Sequence, residues 1–290
     1  MASSTAVGRN FGPYLMIDRL GKGASATVFV GERSDGQRVA VKVLSTFAMG
    51  NADFRRAVTR EFNALDQIDH LGVISVTKMG TIADVLFIEM EWIDGPTIAD
   101  TLTIEKPIAL RRAAEIGIKV ADALQACHDA GVVHRDVKPS NILLRSQDDP
   151  VLFDFGLALD ASDPDAEPGR LYATPMTASP EQVLARGPVD GRADVYALGV
   201  TLFRLMTGKL PFLGERMDLL RMHVENDPPK PSSVAKGLSE EIDTLLLQTL
   251  QKDPNDRFQS ASELSAALSG LSDDALVSPK RGLFRSRRST

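Results

Sequence analysis

The sequence predicts an α+β protein of two lobes, a small β-rich one followed by a larger, mainly helical one, and three observations carry this reading. The chain has 290 residues, about twice the length of a typical domain of roughly 150. Short β-branched runs bounded by turn residues fill its first third, and past the turn signal Asp94-Gly95-Pro96 apolar residues recur at helical spacing. A hydrophobic fraction of 43% and a charged fraction of 25% are those of a folded globular chain and exclude a disordered or collagen-like one.

Taken in order, residues 1–13 form an N-terminal extension. Residues 14–20, 27–32 and 39–44 read as strands, with Ser34-Asp35-Gly36 as the hairpin turn between the last two. Phe54, Val58, Phe62, Leu65 and Ile68 share one helical face, which places a helix after the third strand. Two more strand-like segments end at residues 87–92. Residues 109–130 form an amphipathic helix stopped by Gly131. A short strand at 132–133 leads into the segment 134–141, and another short strand precedes Asp154. Residues 193–207 are apolar almost all round, as in a helix at the centre of a domain, and Gly208 ends it. Further helices run near 240–251 and 260–268. Residues 272–290 read as a flexible tail, with Lys280, Arg281, Arg285, Arg287 and Arg288 making it basic. The sequence shows no internal repeat.

The net charge of −6 from 33 basic and 39 acidic side chains gives no broad basic field, so nucleic acid is not an expected partner. Cys127 is the only cysteine, which rules out an intrachain disulfide or a thiolate metal cluster and leaves a small apolar side chain on a helix. No stretch reaches the ~18 uninterrupted apolar residues of a membrane span, and residues 1–13 do not read as a signal peptide. A cytoplasmic protein is expected. Of the four histidines, His134 reads as a packing residue, His70 and His128 as structural or exposed, and His223 as a surface residue. The sequence leaves the oligomeric state open.

Four motifs carry chemistry. Leu20, Gly21, Lys22 and Gly23, followed by Val28, lie at a strand-turn-strand junction, where a backbone without Cβ can approach phosphate oxygens. On the next strand, period-2 alternation sends Ala40 and Lys42 to one face, and a lysine there can bind a phosphate. Glu61 falls on the inward stripe of the following helix and is a candidate partner for Lys42. Finally, Asp136, Lys138 and Asn141 in one loop and Asp154-Phe155-Gly156 in another supply two carboxylates, an amide and an ammonium, a set that a magnesium nucleotide and a hydroxyl nucleophile can use.

In order and spacing, these motifs over residues 14–271 resemble those of the eukaryotic-type (Hanks-type) serine/threonine protein kinases, in their bacterial branch. The resemblance extends to Ser179-Pro180-Glu181, to Asp194-Val195-Tyr196-Ala197-Leu198-Gly199 and to Arg257, which the family pairs with the position of Glu181. It implies the bilobal kinase fold, with an N-lobe at 14–90, a hinge at 91–95 and a C-lobe at 96–271. It also implies the transfer of the γ-phosphoryl of ATP, with Mg²⁺, to serine or threonine hydroxyls of protein substrates, and autophosphorylation. Under it Asp136 orients the substrate hydroxyl and accepts its proton, Lys138 offsets charge on the transferring phosphoryl, and Asn141 and Asp154 hold the metal. Adenine would lie between Val28 and Ala40 above and Leu143 below, beside Met90, and bond the backbone of Glu91 and Ile93. An internal stack of Leu65, Val76, His134 and Phe155 would be anchored through Asp194.

Ala26 departs from the family by replacing the third loop glycine. The resemblance also places Arg135 in a basic pocket for a phosphorylated loop and Thr174 against the catalytic loop. Residues 160–172 carry only Ser162 and Tyr172 as hydroxyls, among Asp163, Asp165 and Glu167, so one of these acids is expected to occupy that pocket in part; the rival expectation is that the acids only make a mobile, soluble loop and that Ser162 or Thr174 is phosphorylated as usual. The alternative is a pseudokinase scaffold that binds nucleotide or partner proteins. Such proteins lose the lysine or a catalytic carboxylate, and both are present. A small-molecule kinase would lack the peptide-docking segment at 173–181, and Lys138 is the serine/threonine rather than the tyrosine form. Ser140 predicts no strong demand for arginine before the target residue.

Overall fold

A computed structural model describes residues 6–23, 26–45, 52–155, 174–185 and 189–277; of residues 52–54, 57 and 61 it describes the backbone alone. The first lobe is a six-stranded antiparallel sheet of β1 (Asn10–Phe11), β2 (Tyr14–Lys22), β3 (Ala26–Glu32), β4 (Arg38–Leu44), β5 (Val76–Ile82) and β6 (Val85–Glu91), in the order β1-β2-β3-β4-β6-β5. One helix, α1 (Ala52–Leu65), crosses between β4 and β5. Alternation along β4 decides what each face does: Val39, Val41 and Val43 join a small core with Tyr14, Met16, Phe29 and Phe87, while Ala40 and Leu44 face the main core. The short β1 lies within what the sequence reads as an extension. It pairs with β2, and Phe11 stacks edge-on against Phe87 at 5.9 Å.

The second lobe holds α2 (Ile98–Ile104), α3 (Leu110–Asp129), α4 (Pro180–Leu184), α5 (Arg192–Thr207), α6 (Arg216–Glu225), α7 (Pro231–Val234), α8 (Glu240–Thr249) and α9 (Ala261–Ser269), together with the hairpin β7 (Ile142–Leu144) and β8 (Pro150–Leu152). Helix α5 is the centre of the lobe: Val195, Tyr196, Leu198, Val200, Leu202, Phe203 and Leu205 are all fully buried. Gly199 lets α8 pass close by, since a Cβ there would stand 2.3 Å from Thr249 Oγ1. Cys127 is buried on α3, and burial pushes its thiol up to about 12.

Three expectations need correction. Among the described residues, 132 and 133 form no strand; Val132 N–H instead closes the end of α3 on the Cys127 carbonyl at 2.9 Å. His223 is not on the surface. It lies on α6 at 1% exposure, one turn after the buried Leu219 and Leu220, with Nδ1 2.8 Å from the Tyr196 hydroxyl. The start of the expected tail is folded: Ser272 binds Glu241 through its N–H (3.0 Å) and its hydroxyl (2.8 Å), and Ala275 is buried at 2% exposure. The basic residues 280–288 lie outside the described residues.

Candidate active site

Beneath the sheet, the loop 134–141 is built on Asp194, a fully buried carboxylate in the first turn of α5. It accepts the backbone N–H of His134 (2.8 Å) and of Arg135 (2.7 Å), and it lies 2.9 Å from His128 Nε2. Arg135 adopts a left-handed conformation, φ 65°, which costs a non-glycine residue energy unless its surroundings fix it. The two N–H bonds to one buried carboxylate do that.

His134 is fully buried, with its ring 4.4 Å from that of Phe155. Its Nδ1 accepts from Asp136 N–H at 3.3 Å and its Nε2 donates to the Phe153 carbonyl at 3.2 Å. Both nitrogens are thus used by the neutral ring, and burial holds the imidazole below its ordinary pKa. Leu65 and Val76, with which the sequence reading stacks this pair, are buried at 7% exposure each.

The turn that follows brings the polar groups together. Asp136 Oδ1 accepts from Thr174 Oγ1 at 2.6 Å; Asp136 Oδ2 accepts from Lys138 Nζ at 2.6 Å and from Asn141 Nδ2 at 3.0 Å. Lys138 Nζ also donates to Thr174 Oγ1 at 2.8 Å. Asn141, 4% exposed, spends its amide N–H groups on Asp136, the second bond reaching the backbone carbonyl at 2.9 Å. Its carbonyl oxygen is thereby the end left for a ligand.

From the roof, Lys42 reaches down to Asp154, Nζ to Oδ1 at 2.7 Å. Desolvation in the cleft works against the Asp154 anion, but the adjacent Lys42 ammonium outweighs it and holds the carboxyl below the usual range. Asp154, like Arg135, is left-handed, φ 54°. Among the described residues no three His, Cys, Asp or Glu side chains gather as a metal cage. One carboxylate and one amide oxygen fit a hard cation that takes its remaining ligands from phosphates and water.

The residues expected to hold the nucleotide come from β2, β3, β4, β6 and β7 and from the segment after β6. Gly21 pairs with Val28 across β2 and β3, Lys22 pairs with Thr27, and Gly23 N–H donates to the Ala26 carbonyl at 2.8 Å. Leu20 is 55% exposed at the rim. Ala40 is paired with Met90 in the β4/β6 ladder, and Leu143 bridges to Thr97 across the cleft floor. Glu91 ends β6 and Ile93 lies in the connection to the second lobe, and Gly95 just beyond is required by packing: a Cβ there would stand 2.0 Å from the Leu144 carbonyl oxygen. The sequence marks Gly95 only as part of a turn.

Farther out, Arg257 is fully buried and all its N–H groups are used. It makes a two-pronged pair with Glu181 at 2.8 and 2.7 Å and donates to the carbonyls of Gln251, Arg192 and Lys252. Its plane lies 4.9 Å from the Tyr196 ring. Three sequence-derived features fall outside the described residues: the side chain of Glu61, the loop glycine Gly156, and the acidic segment 160–172 expected to meet Arg135.

The chain was compared with known proteins. The family model for the protein kinase domain matches residues 14–267. Serine/threonine-protein kinase Pkn1 of Myxococcus xanthus is 37% identical over 289 residues, which cover 97% of this chain and 41% of that protein. Serine/threonine-protein kinase PknJ of Mycobacterium tuberculosis is 37% identical over 292 residues, 96% of this chain and 49% of that one. The crystal structure of the M. tuberculosis PknI kinase domain superposes with a TM-score of 0.73 at 30% identity, covering 92% of this chain and 98% of that one. The fold is the bilobal protein kinase fold. The chain belongs to the protein kinase family, in the bacterial serine/threonine branch those relatives represent, and it spans less than half the length of the two curated relatives.

Proposed function

We propose that the protein is an ATP-dependent serine/threonine protein kinase whose catalytic domain runs from 14 to 271, with residues 91–95 as the hinge. The observation that carries this is the meeting of Lys138, Asn141 and Thr174 on the Asp136 carboxylate, each bond 3.0 Å or shorter, opposite Lys42 and Asp154. Asp136, the only carboxylate in that group on the lower loop, stands where it can orient a substrate hydroxyl and take its proton. Lys138, already placed by Asp136 and Thr174, offers its ammonium to the phosphoryl oxygens. Lys42 would hold the nucleotide phosphates from above, and Asp154 would serve as a metal ligand. The backbone at Glu91 and Ile93 receives adenine, between Val28 and Ala40 above and Leu143 below.

The metal is Mg²⁺ in this reading, held by Asp154 and the Asn141 carbonyl oxygen; when bound, it neutralises charge on the phosphates. The working compartment is the cytoplasm, where ATP is supplied and where a lone buried thiol suits reducing conditions. Among the described residues no helix is long and apolar enough to cross a membrane.

The test is incubation of the purified protein with labelled ATP and magnesium, on itself and on a mixed protein substrate, with mapping of the phosphorylated residues. Label on serine or threonine, dependent on magnesium, is the expected result. A protein that binds ATP and transfers nothing under these conditions is a scaffold, and the reading is wrong. Asp154→Asn should remove the effect of magnesium on nucleotide affinity; an unchanged magnesium titration would take that residue out of the ligand set.

A further inference from the structure

The connection between the lobes is gripped from both sides by arginines. Arg38, the first residue of β4 in the upper lobe, places its guanidinium 5.2 Å from the centre of the Trp92 ring. Arg145, which follows β7 in the lower lobe, donates through Nη2 to Glu91 Oε2 at 2.7 Å and through Nη1 to the Leu71 carbonyl at 3.0 Å. The other oxygen of the same carboxylate, Glu91 Oε1, accepts Ser75 N–H at 3.0 Å, and Glu91 N–H returns a bond to the Ser75 carbonyl at 2.9 Å. Both carboxylate oxygens and the backbone N–H of Glu91 are therefore engaged.

The segment that Arg145 and Glu91 share is itself fastened to the lower lobe. Leu152 N–H donates to the Gly72 carbonyl at 2.8 Å, Ile74 N–H donates to the Leu152 carbonyl at 2.9 Å, and Val73 forms a parallel bridge with Leu152. Arg145 is thus a lower-lobe side chain that locks Glu91 to a block already belonging to the lower lobe. A hinge peptide free to rotate would lose entropy on presenting its carbonyl and N–H groups to a flat ligand, and a pre-set one does not.

We infer that Arg145, acting through the Glu91 carboxylate, is a positioning residue for adenine recognition. It sets the hinge backbone in the orientation that binds the base while touching neither the nucleotide nor the reacting groups. The inference rests on the proposed reading that this hinge receives adenine.

The experiment is titration calorimetry on the wild-type protein, Arg145→Ala and Arg145→Lys with two ligands: ADP, and tripolyphosphate as a phosphate chain without a base. Loss of a part-exposed pair and its carbonyl bond should weaken ADP about three- to tenfold in Arg145→Ala. Tripolyphosphate affinity and kcat at saturating ATP should stay at wild-type values. Arg145→Lys, whose single ammonium cannot span both acceptors, should fall between. In a Glu91→Gln background Arg145→Ala should cost less than in the wild type, because the partner is already altered. Wild-type ADP affinity in Arg145→Ala overturns the inference, as does an equal loss for both ligands, which would mean general loosening. A wild-type protein that binds ADP no better than tripolyphosphate removes the adenine reading itself, and that failure is visible before any substitution.

Discussion

The floor of the cleft and its roof are held together in different ways. Below, the catalytic loop hangs from Asp194 and the segment after it from Arg257, two buried charges whose bonding capacity is taken up by N–H groups, carbonyls and a carboxylate. Above, Lys42 contacts a 47% exposed Asp154 side chain across the cleft, and the glycine turn is open: among the described residues nothing stands within 4 Å of a Cβ built at Gly21. A buried charge with every partner in place is costly to move, whereas a pair with one half-exposed partner can exchange partners at lower cost. The lower lobe therefore keeps a fixed geometry for chemistry, and the upper lobe keeps contacts that a nucleotide can replace.

The largest effect should come from the fixed side. Asp136→Asn removes the proton acceptor while keeping the size and shape of the side chain, and phosphoryl transfer should fall about 10²–10⁴-fold with ADP affinity near wild type. An initial-rate assay beside a binding titration reads both, and a wild-type rate would dismiss the assignment. Next, Arg257→Met leaves Glu181 in a mostly buried site without its cation and three carbonyls without donors. Stability should drop by about 3–5 kcal/mol, measured by urea denaturation. If the drop is no larger than for a surface pair, buried charge is not what holds this lobe.

The third effect separates the lobes by pH. Burial, with Lys252 beside it, moves the His223 imidazole down to about 4, and burial moves His134 in the same direction. As the pH falls below their ordinary value of 6.5, the unfolded chain takes up protons that the folded one refuses. Stability present above pH 6.5 is then lost progressively toward pH 4. The His223 share is about 2 kcal/mol at pH 5, and His223→Gln should flatten the stability profile by that amount; an unchanged slope would mean the ring titrates normally. The smallest effect belongs to Arg111 and Asp273, a pair at 2.8 Å whose side chains are 52% and 88% exposed. Asp273→Asn should move the melting midpoint by no more than about 1–2 °C.

Much of the site is legible in the sequence because its groups sit at fixed offsets along single loops: Asp136, Lys138 and Asn141 share one turn, and period-2 alternation sends Ala40 and Lys42 to the same face of β4. What is not legible depends on contacts between distant segments. Gly95 looks like any turn glycine until the Leu144 carbonyl is placed beside it. Glu91 and Arg145, 54 positions apart, carry no shared pattern. His223 had a signal that could have found it, since it follows Leu219 and Leu220 at helical spacing on a face that turns inward. Residues 272–274 are polar, and the apolar Ala275, Leu276 and Val277 that follow hint that the chain is still packed there.

The pairing of residues 72–74 with Leu152 also bears on how the chain comes into being. Ile74 leaves the ribosome 78 residues before Leu152, and until then the Gly72 carbonyl and the Ile74 N–H have no ladder to join. The upper lobe, finished in sequence at residue 90, is thus unfinished in structure until the lower lobe has begun. A fragment cut at the hinge would expose that open edge and the apolar Val73 and Ile74. The two lobes are thus joined by this pairing as well as by the covalent connection between them.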